Sequence, residues 1–144
     1  MITRLKIENF KSHRSTELKL NNLTLLTGLN GCGKTSTIQA LLLLRQSFKK
    51  GRLMQGLDLN SPLVNVGIVH EALSQFSNSP VIKFEIDNDE EPFVFSFDAA
   101  SSLKDSFMPK MAYSGNITTE KLNAISLFNK NFQYISAMRW GGNR

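Results

Sequence analysis

Gly28-Leu29-Asn30-Gly31-Cys32-Gly33-Lys34-Thr35 fits the phosphate-wrapping pattern of Gly, four free positions, Gly, Lys and Ser or Thr. Just before it, Leu23-Thr24-Leu25-Leu26-Thr27 is a short apolar run of β-prone residues, and just after it Ser36 to Lys50 reads as a helix. The loop therefore has the strand-loop-helix setting that the motif requires. Its glycines let the backbone turn tightly and aim successive N–H groups at phosphate oxygens, and the start of the helix adds free N–H groups and a favourable dipole. Lys34 would reach the β- and γ-phosphates of a nucleotide and the Thr35 hydroxyl would ligate Mg²⁺. The nucleotide-binding set read from the stretch is Gly28, Leu29, Asn30, Gly31, Cys32, Gly33, Lys34, Thr35 and Ser36. A Gly-rich turn with an exposed lysine is the bland alternative, and the flanking strand and helix argue against it.

A chain of 144 residues, 41% hydrophobic and 20% charged, suits one globular domain over residues 1–144 with a modest core. Seventeen Lys and Arg against 12 Asp and Glu give a net charge of +5, which permits contact with phosphate polymers without requiring it. A single cysteine rules out an internal disulfide framework. The N-terminus alternates polar and apolar residues instead of carrying a signal-peptide core, and the longest apolar run, Ala40 to Leu44, is far too short to span a bilayer. The expectation is a cytoplasmic chain with no membrane partner and no internal repeat.

From the start, Leu5 and Ile7 face one way and Arg4, Lys6 and Glu8 the other, the period of a half-buried strand. Asn9 to Arg14 reads as a polar turn, and Thr16 to Leu20 alternates again before the turn pair Asn21-Asn22. The helix after the phosphate loop carries Ile38, Leu41, Leu42 and Arg45 at helical spacing, and its four consecutive leucines imply burial on more than one side. Lys49 and Lys50 meet the dipole in the last turn, and Gly51 is placed for a left-handed cap.

Leu5-Lys6-Ile7-Glu8-Asn9-Phe10-Lys11-Ser12-His13, a second strand, then Leu23 to Thr27 and the phosphate loop together resemble the N-terminal segment of SMC-like and RecF-like ABC-type ATPases. Within that group the chain is most similar to the OLD-like AAA-family ATPases of bacteria. The helix Thr37 to Ser47 and the stretch Tyr134-Ile135-Ser136-Ala137-Met138-Arg139 strengthen that resemblance, and residues 1 to 48 carry most of it. The resemblance implies an α/β P-loop fold of the ABC ATPase-head type with an antiparallel β lobe after the first helix. It further implies Lys11, Ser12 and His13 near the nucleotide, ATP and Mg²⁺ as ligands, and a homodimer of heads sandwiching ATP. Where that group has Gly-Pro near the far end, this chain has Gly141-Gly142 and stops at Arg144, so the head domain is expected to be incomplete at the C-terminus.

In the middle, Gly51 to Asn60 reads as irregular, Pro62 to Gly67 as a short strand and Val69 to Phe76 as a short helix. Val81 to Ile86 and Pro92 to Phe97 flank an acidic connection, Asp87 to Glu91, and read as two antiparallel strands. Ala100 to Lys110 reads as loop, Thr118 to Phe128 as a helix capped by Thr118 or Thr119, and Phe132 to Ala137 as a buried strand.

Other features imitate chemistry. Phe93 to Asp98 looks like the apolar strand and Asp of a second Mg²⁺ motif, but Ser96 interrupts it and Ala99 stands where a catalytic Glu would follow. The catalytic carboxylate is thus unassigned. Asp87, Asp89, Glu90 and Glu91 match no standard metal spacing, and His13 and His70 have no cysteine partners at zinc spacing. Asn129-Lys130-Asn131 begins like a guanine-reading motif but has Phe132 where the carboxylate belongs, which favours ATP over GTP. Cys32 has no evident base beside it and reads as a small spacer.

These readings converge on Mg²⁺-dependent ATP binding. By resemblance, the full-length relative hydrolyses ATP in a DNA-directed process such as repair or anti-phage defence. A chain with only the phosphate cradle is expected to turn ATP over slowly or not at all, and any DNA contact is expected to be weak and electrostatic. The alternatives are a small P-loop nucleoside kinase or GTPase, for which no guanine motif or Arg-rich lid is visible, and a non-catalytic nucleotide-gated interaction module.

Overall fold

The computed structural model of the chain describes residues 2–11, 13–19, 34–61, 63–75, 79–88, 92–100, 103–111, 117–125 and 127–128, with the backbone alone at residues 34, 35 and 119. In order, it contains β1 (Arg4–Phe10), β2 (His13–Lys19), α1 (Lys34–Lys49), β3 (Gly56–Asp58), α2 (Val69–Ala72), β4 (Val81–Asp87), β5 (Pro92–Asp98), β6 (Phe107–Pro109) and α3 (Thr119–Asn123). The strands expected at Leu23–Thr27 and Phe132–Ala137, and the stretches Asn129–Phe132, Tyr134–Arg139 and Gly141–Arg144, lie outside the described residues.

Alternating side chains make the main sheet. In β4 and β5 every second residue is buried: Ile82, Phe84 and Ile86, then Phe93, Phe95 and Phe97. Leu5 and Ile7 do the same in β1. The four strands run in the order β2-β1-β4-β5, and each neighbouring pair is antiparallel. The hairpin expected after the first helix is present, but it is not a separate lobe. Its first strand pairs with β1 from Arg4↔Asp87 to Glu8↔Lys83, which sets Leu5 opposite Ile86 and Ile7 opposite Phe84 on one apolar face. That face belongs to the same buried cluster as Ala40, Leu43 and Leu44 of α1. Phe128 joins helix to sheet, its ring centroid 5.0 Å from that of Phe48 and 6.5 Å from that of Phe95. On the outer face Arg4 pairs with Glu17, Glu85 and Asp87, so Asp87 ends β4 in an ion pair across the sheet. Residues 89–91 of the acidic connection lie outside the described residues.

The turn between β1 and β2 is tighter than Asn9 to Arg14. Phe10 pairs with His13, which leaves a two-residue connection, and Phe10 is fully buried, its ring edge-on to Phe84 at 5.3 Å. Asn9 at φ 62° and Lys11 at φ 51° take left-handed backbone. Two-residue hairpin turns call for positive φ, and at Asn9 it breaks the alternation that runs through Leu5 and Ile7, so that burial resumes at Phe10.

Four further expectations are corrected. β3 and β6 form a two-stranded antiparallel sheet where irregular chain and loop were expected. Gly56 permits it, because a Cβ there would stand 2.1 Å from the Met108 carbonyl oxygen. Instead of a strand over residues 62–67, the described residues show the isolated bridge Asn60↔Asn65, since Gln46 takes the backbone of Val64: Val64 N–H donates to Gln46 Oε1 at 2.9 Å and Gln46 Nε2 donates to the Val64 carbonyl at 2.9 Å. α2 stops at Ala72 because Leu73 is extended and bridges Phe10. α3 is capped by Thr118, whose Oγ1 accepts the Lys121 N–H at 3.2 Å, but it ends at Asn123 and gives way to tight turns at Ile125 and Phe128. Among the described residues no helix is long and apolar enough to cross a membrane.

Candidate functional site

α1 begins at Lys34, directly after the glycines of the motif, and runs for 16 residues. The first N–H groups of such a helix have no intrahelical acceptor and its start carries partial positive charge, which together favour an anion. Gly28 to Gly33, with Cys32 among them, lie outside the described residues, as does Ser12. Ser36 is half-buried and Thr37 is buried in the first turns of the helix.

Against this helix start stands the β1–β2 turn. β2 has a single buried residue, His13, and the histidine faces a hydroxyl from each nitrogen. Nδ1 is 2.8 Å from Thr16 Oγ1, and Nε2 is 3.4 Å from Thr37 Oγ1. A neutral imidazole offers one donor and one acceptor, and hydroxyls can answer either. His13 therefore lies beside the helix that the phosphate motif opens. Lys11, half-buried, keeps its left-handed backbone because its N–H donates to the Ala72 carbonyl at 2.7 Å. Asn9 is held from two sides: Ser74 N–H donates to its carbonyl at 2.9 Å, and its Nδ2 donates to the Val81 carbonyl at 2.9 Å.

The opposite end of α1 is built differently. Gly51, at φ 71°, closes the helix with its N–H on the Phe48 carbonyl while Arg52 N–H reaches Ser47, the paired pattern of a left-handed cap. Asp58, nearly fully buried, accepts from Lys50 Nζ at 2.8 Å, Ser61 Oγ at 2.9 Å and its neighbour Asn60 N–H at 3.0 Å. Its own N–H donates to Ser47 Oγ at 2.8 Å, and its carbonyl accepts from Gln46 Nε2 at 2.8 Å. Burial alone would raise the Asp58 carboxyl. The hydrogen bonds from Lys50, Asn60 and Ser61, with the charge of Lys50, outweigh it and hold the group below its ordinary value. A hollow of about 230 Å³ lies here, lined by Arg45, Gln46, Lys49, Lys50, Ser61 and Leu63. It is smaller than an ordinary small-molecule site and sits at the wrong end of the helix for the phosphate loop.

The remaining candidates take ordinary places. Asp98 closes β5, its Oδ1 accepting the Ala100 N–H at 3.0 Å, so its carboxylate shapes the turn after the strand. His70 is exposed on α2, and no group of three potential metal ligands occurs among the described residues. Thr37 was not singled out in the sequence, where it is one hydroxyl among several after the glycines. Its only signal is a small polar residue opening an otherwise leucine-rich helix.

The chain matches the AAA ATPase domain family over residues 1–139. A DNA double-strand break repair Rad50 ATPase from Methanopyrus kandleri is 48% identical over 44 residues, which amount to 30% of this chain and 5% of that protein. The match thus takes in a small fraction of the relative's length. No solved structure matches the chain.

Proposed function

Since the chain belongs to the AAA ATPase domain family, we propose that it binds ATP with Mg²⁺ through Gly28 to Ser36, Lys34 contacting the β- and γ-phosphates and Thr35 the metal. The partial match to a Rad50 ATPase agrees with the resemblance to SMC-like and RecF-like ABC-type ATPases. The observation that carries the reading is the start of α1 at Lys34, immediately behind the glycines of the motif. The threonine hydroxyl and phosphate oxygens are hard oxygen donors of the kind Mg²⁺ takes, and the bound ion would supply charge neutralisation on the phosphates. The chain's own part is to cradle and orient: helix N–H groups and Lys34 hold the phosphates, with Lys11, Ser12 and His13 alongside.

Transfer of the terminal phosphoryl to water also needs a carboxylate for the metal and a group that orients the water. Asp98 is turned to its own strand end, and no Leu-Ser-Gly-Gly run occurs in the sequence. Binding without appreciable turnover is therefore the reading for this chain. Hydrolysis belongs to the full-length relative, as a homodimer of heads in a DNA-directed process of repair or defence. The name of the Rad50 relative favours that setting over a nucleoside kinase or a GTPase.

Calorimetry with Mg·ATP tests the site. Lys34→Ala should weaken binding about tenfold to a hundredfold, the effect of one charge-assisted contact. Equal affinity for both forms would remove the assignment. A phosphate-release assay on the same pair should read no turnover above the variant's background; turnover near ~1 s⁻¹ that vanishes in Lys34→Ala would mean a competent carboxylate exists in the chain.

A further inference from the structure

We propose that His13 is a positioning residue for nucleotide binding, acting through Thr37: it ties the β1–β2 turn to the first turn of α1, so that the stance of the turn and the start of the phosphate-binding helix are set together. The inference rests on the nucleotide reading above and adds to it the residue pair through which two walls of that site would communicate.

Three observations carry it. First, burial of His13 is out of keeping with its strand. The other residues of β2 are exposed or half-exposed, whereas His13 is 5% exposed and Thr37 2% exposed. A polar side chain buried from an otherwise exposed strand must be held by specific partners, and two of those here are the hydroxyls of Thr16 and Thr37. Second, the turn is held in an unfavourable backbone. Asn9 and Lys11 both have positive φ, which costs a non-glycine residue energy and persists where the surroundings over-determine it. Ala72, Ser74 and Val81 supply that constraint through the bonds to Lys11 and Asn9. Third, the contact is long at 3.4 Å, whereas N–H···O and O–H···N bonds of full strength are nearer 2.9 Å. A held turn meeting a helix start across a long bond is an arrangement in which a small shift of α1 toward bound phosphate alters the contact directly.

The experiment is a double-mutant cycle on Mg·ATP affinity, measured by calorimetry on folded protein, with His13→Ala, Thr37→Val and the two together. Each single change should weaken binding about three- to tenfold, the effect of one hydrogen bond. The double variant should lose no more than one of the singles, because both remove the same tie. His13→Gln, which keeps a donor and an acceptor, should recover part of the loss, and Thr37→Ser, which keeps the hydroxyl, should bind like the parent. Losses that add, or a lowered melting temperature with unchanged affinity, would overturn the proposal. If His13→Ala does not fold, the comparison of Thr37→Val with Thr37→Ser decides: equal affinities overturn it. A parent chain that fails to bind Mg·ATP would end both this inference and the reading beneath it. Loss of binding in Lys34→Ala alongside unchanged binding in the His13 and Thr37 variants would end this inference alone.

Discussion

The two ends of α1 answer to different demands. At the C-terminal end Gln46, Ser47 and Lys50 bond the 58–64 segment through backbone and side chain alike, with donor–acceptor distances of 2.8–2.9 Å, and a glycine takes the left-handed cap. At the N-terminal end one described tie to the neighbouring hairpin is the 3.4 Å approach of His13 and Thr37, set beside backbone held in a costly conformation. Packing of Ala40, Leu43 and Leu44 against the sheet is common to both. The difference teaches that the far end of this helix is fastened by short bonds from Gln46, Ser47 and Lys50, whereas the His13–Thr37 contact at the end behind the phosphate motif is a longer one.

Changes at the anchored end should therefore damage folding and spare binding. The largest effect is expected from Gln46→Leu, which strands the Asp58 carbonyl and the Val64 N–H in a buried site, while the Val64 carbonyl keeps the Ser61 N–H at 3.3 Å. At about 1–3 kcal/mol for each unsatisfied group, with partial relaxation, the loss should be about 3 kcal/mol in urea unfolding. Mg·ATP affinity of the folded fraction should stay within about twofold, less than one hydrogen bond's worth. An affinity loss on the scale of Lys34→Ala would break the distinction between the ends.

Gly51→Ala comes next. A Cβ there meets nothing within 4 Å, so the cost is conformational alone, about 1–2 kcal/mol for a non-glycine residue in left-handed backbone. A neutral result in the same unfolding experiment would mean that the cap is not holding the helix end.

The smallest effect is one of pH. Because the folded Asp58 carboxyl lies below its ordinary 3.8, its ionised form is favoured by folding. That stability is present in full above the unfolded value and drains away as pH falls below about 4 toward the lowered folded value. Asp58→Asn should flatten this part of the stability profile, while the parent should lose stability on acidification. Identical slopes below about pH 4 would show that the carboxylate is not part of the anchor.

How much of this was legible in the sequence depended on range. α1, the β4–β5 hairpin, the Thr118 cap and the Gly51 cap are local events, governed by periodicity and backbone chemistry within a few residues, and each was readable. That β4 would join β1 was not, since alternation says which face is buried and nothing about which edge accepts a partner. β3 and β6 have three residues apiece, too few for a period to register. Val64 was read as strand because its neighbours are apolar, and no local signal tells that a glutamine 18 positions earlier takes its backbone bonds. The same holds for the site. The proposed phosphate motif is a contiguous pattern, with Gly28 to Gly33 outside the described residues, whereas the His13–Thr37 pair spans 24 positions and only the fold brings it together.

The place of β1 between β2 and β4 has a consequence in time. The β1–β2 hairpin closes on itself and can form within microseconds. Its other edge waits for a partner that ends at Asp87, about 77 residues after Phe10. During synthesis at about 5–20 residues per second, that wait is roughly 4–15 s. For those seconds Leu5 and Ile7 sit on a strand with an open flank, the condition in which newly made chains pair with one another. The interval also means that the helix behind the phosphate motif emerges before the sheet it packs on is complete, so the hairpin that carries His13 is on hand to receive α1 while the β4–β5 half of the core is still to be made.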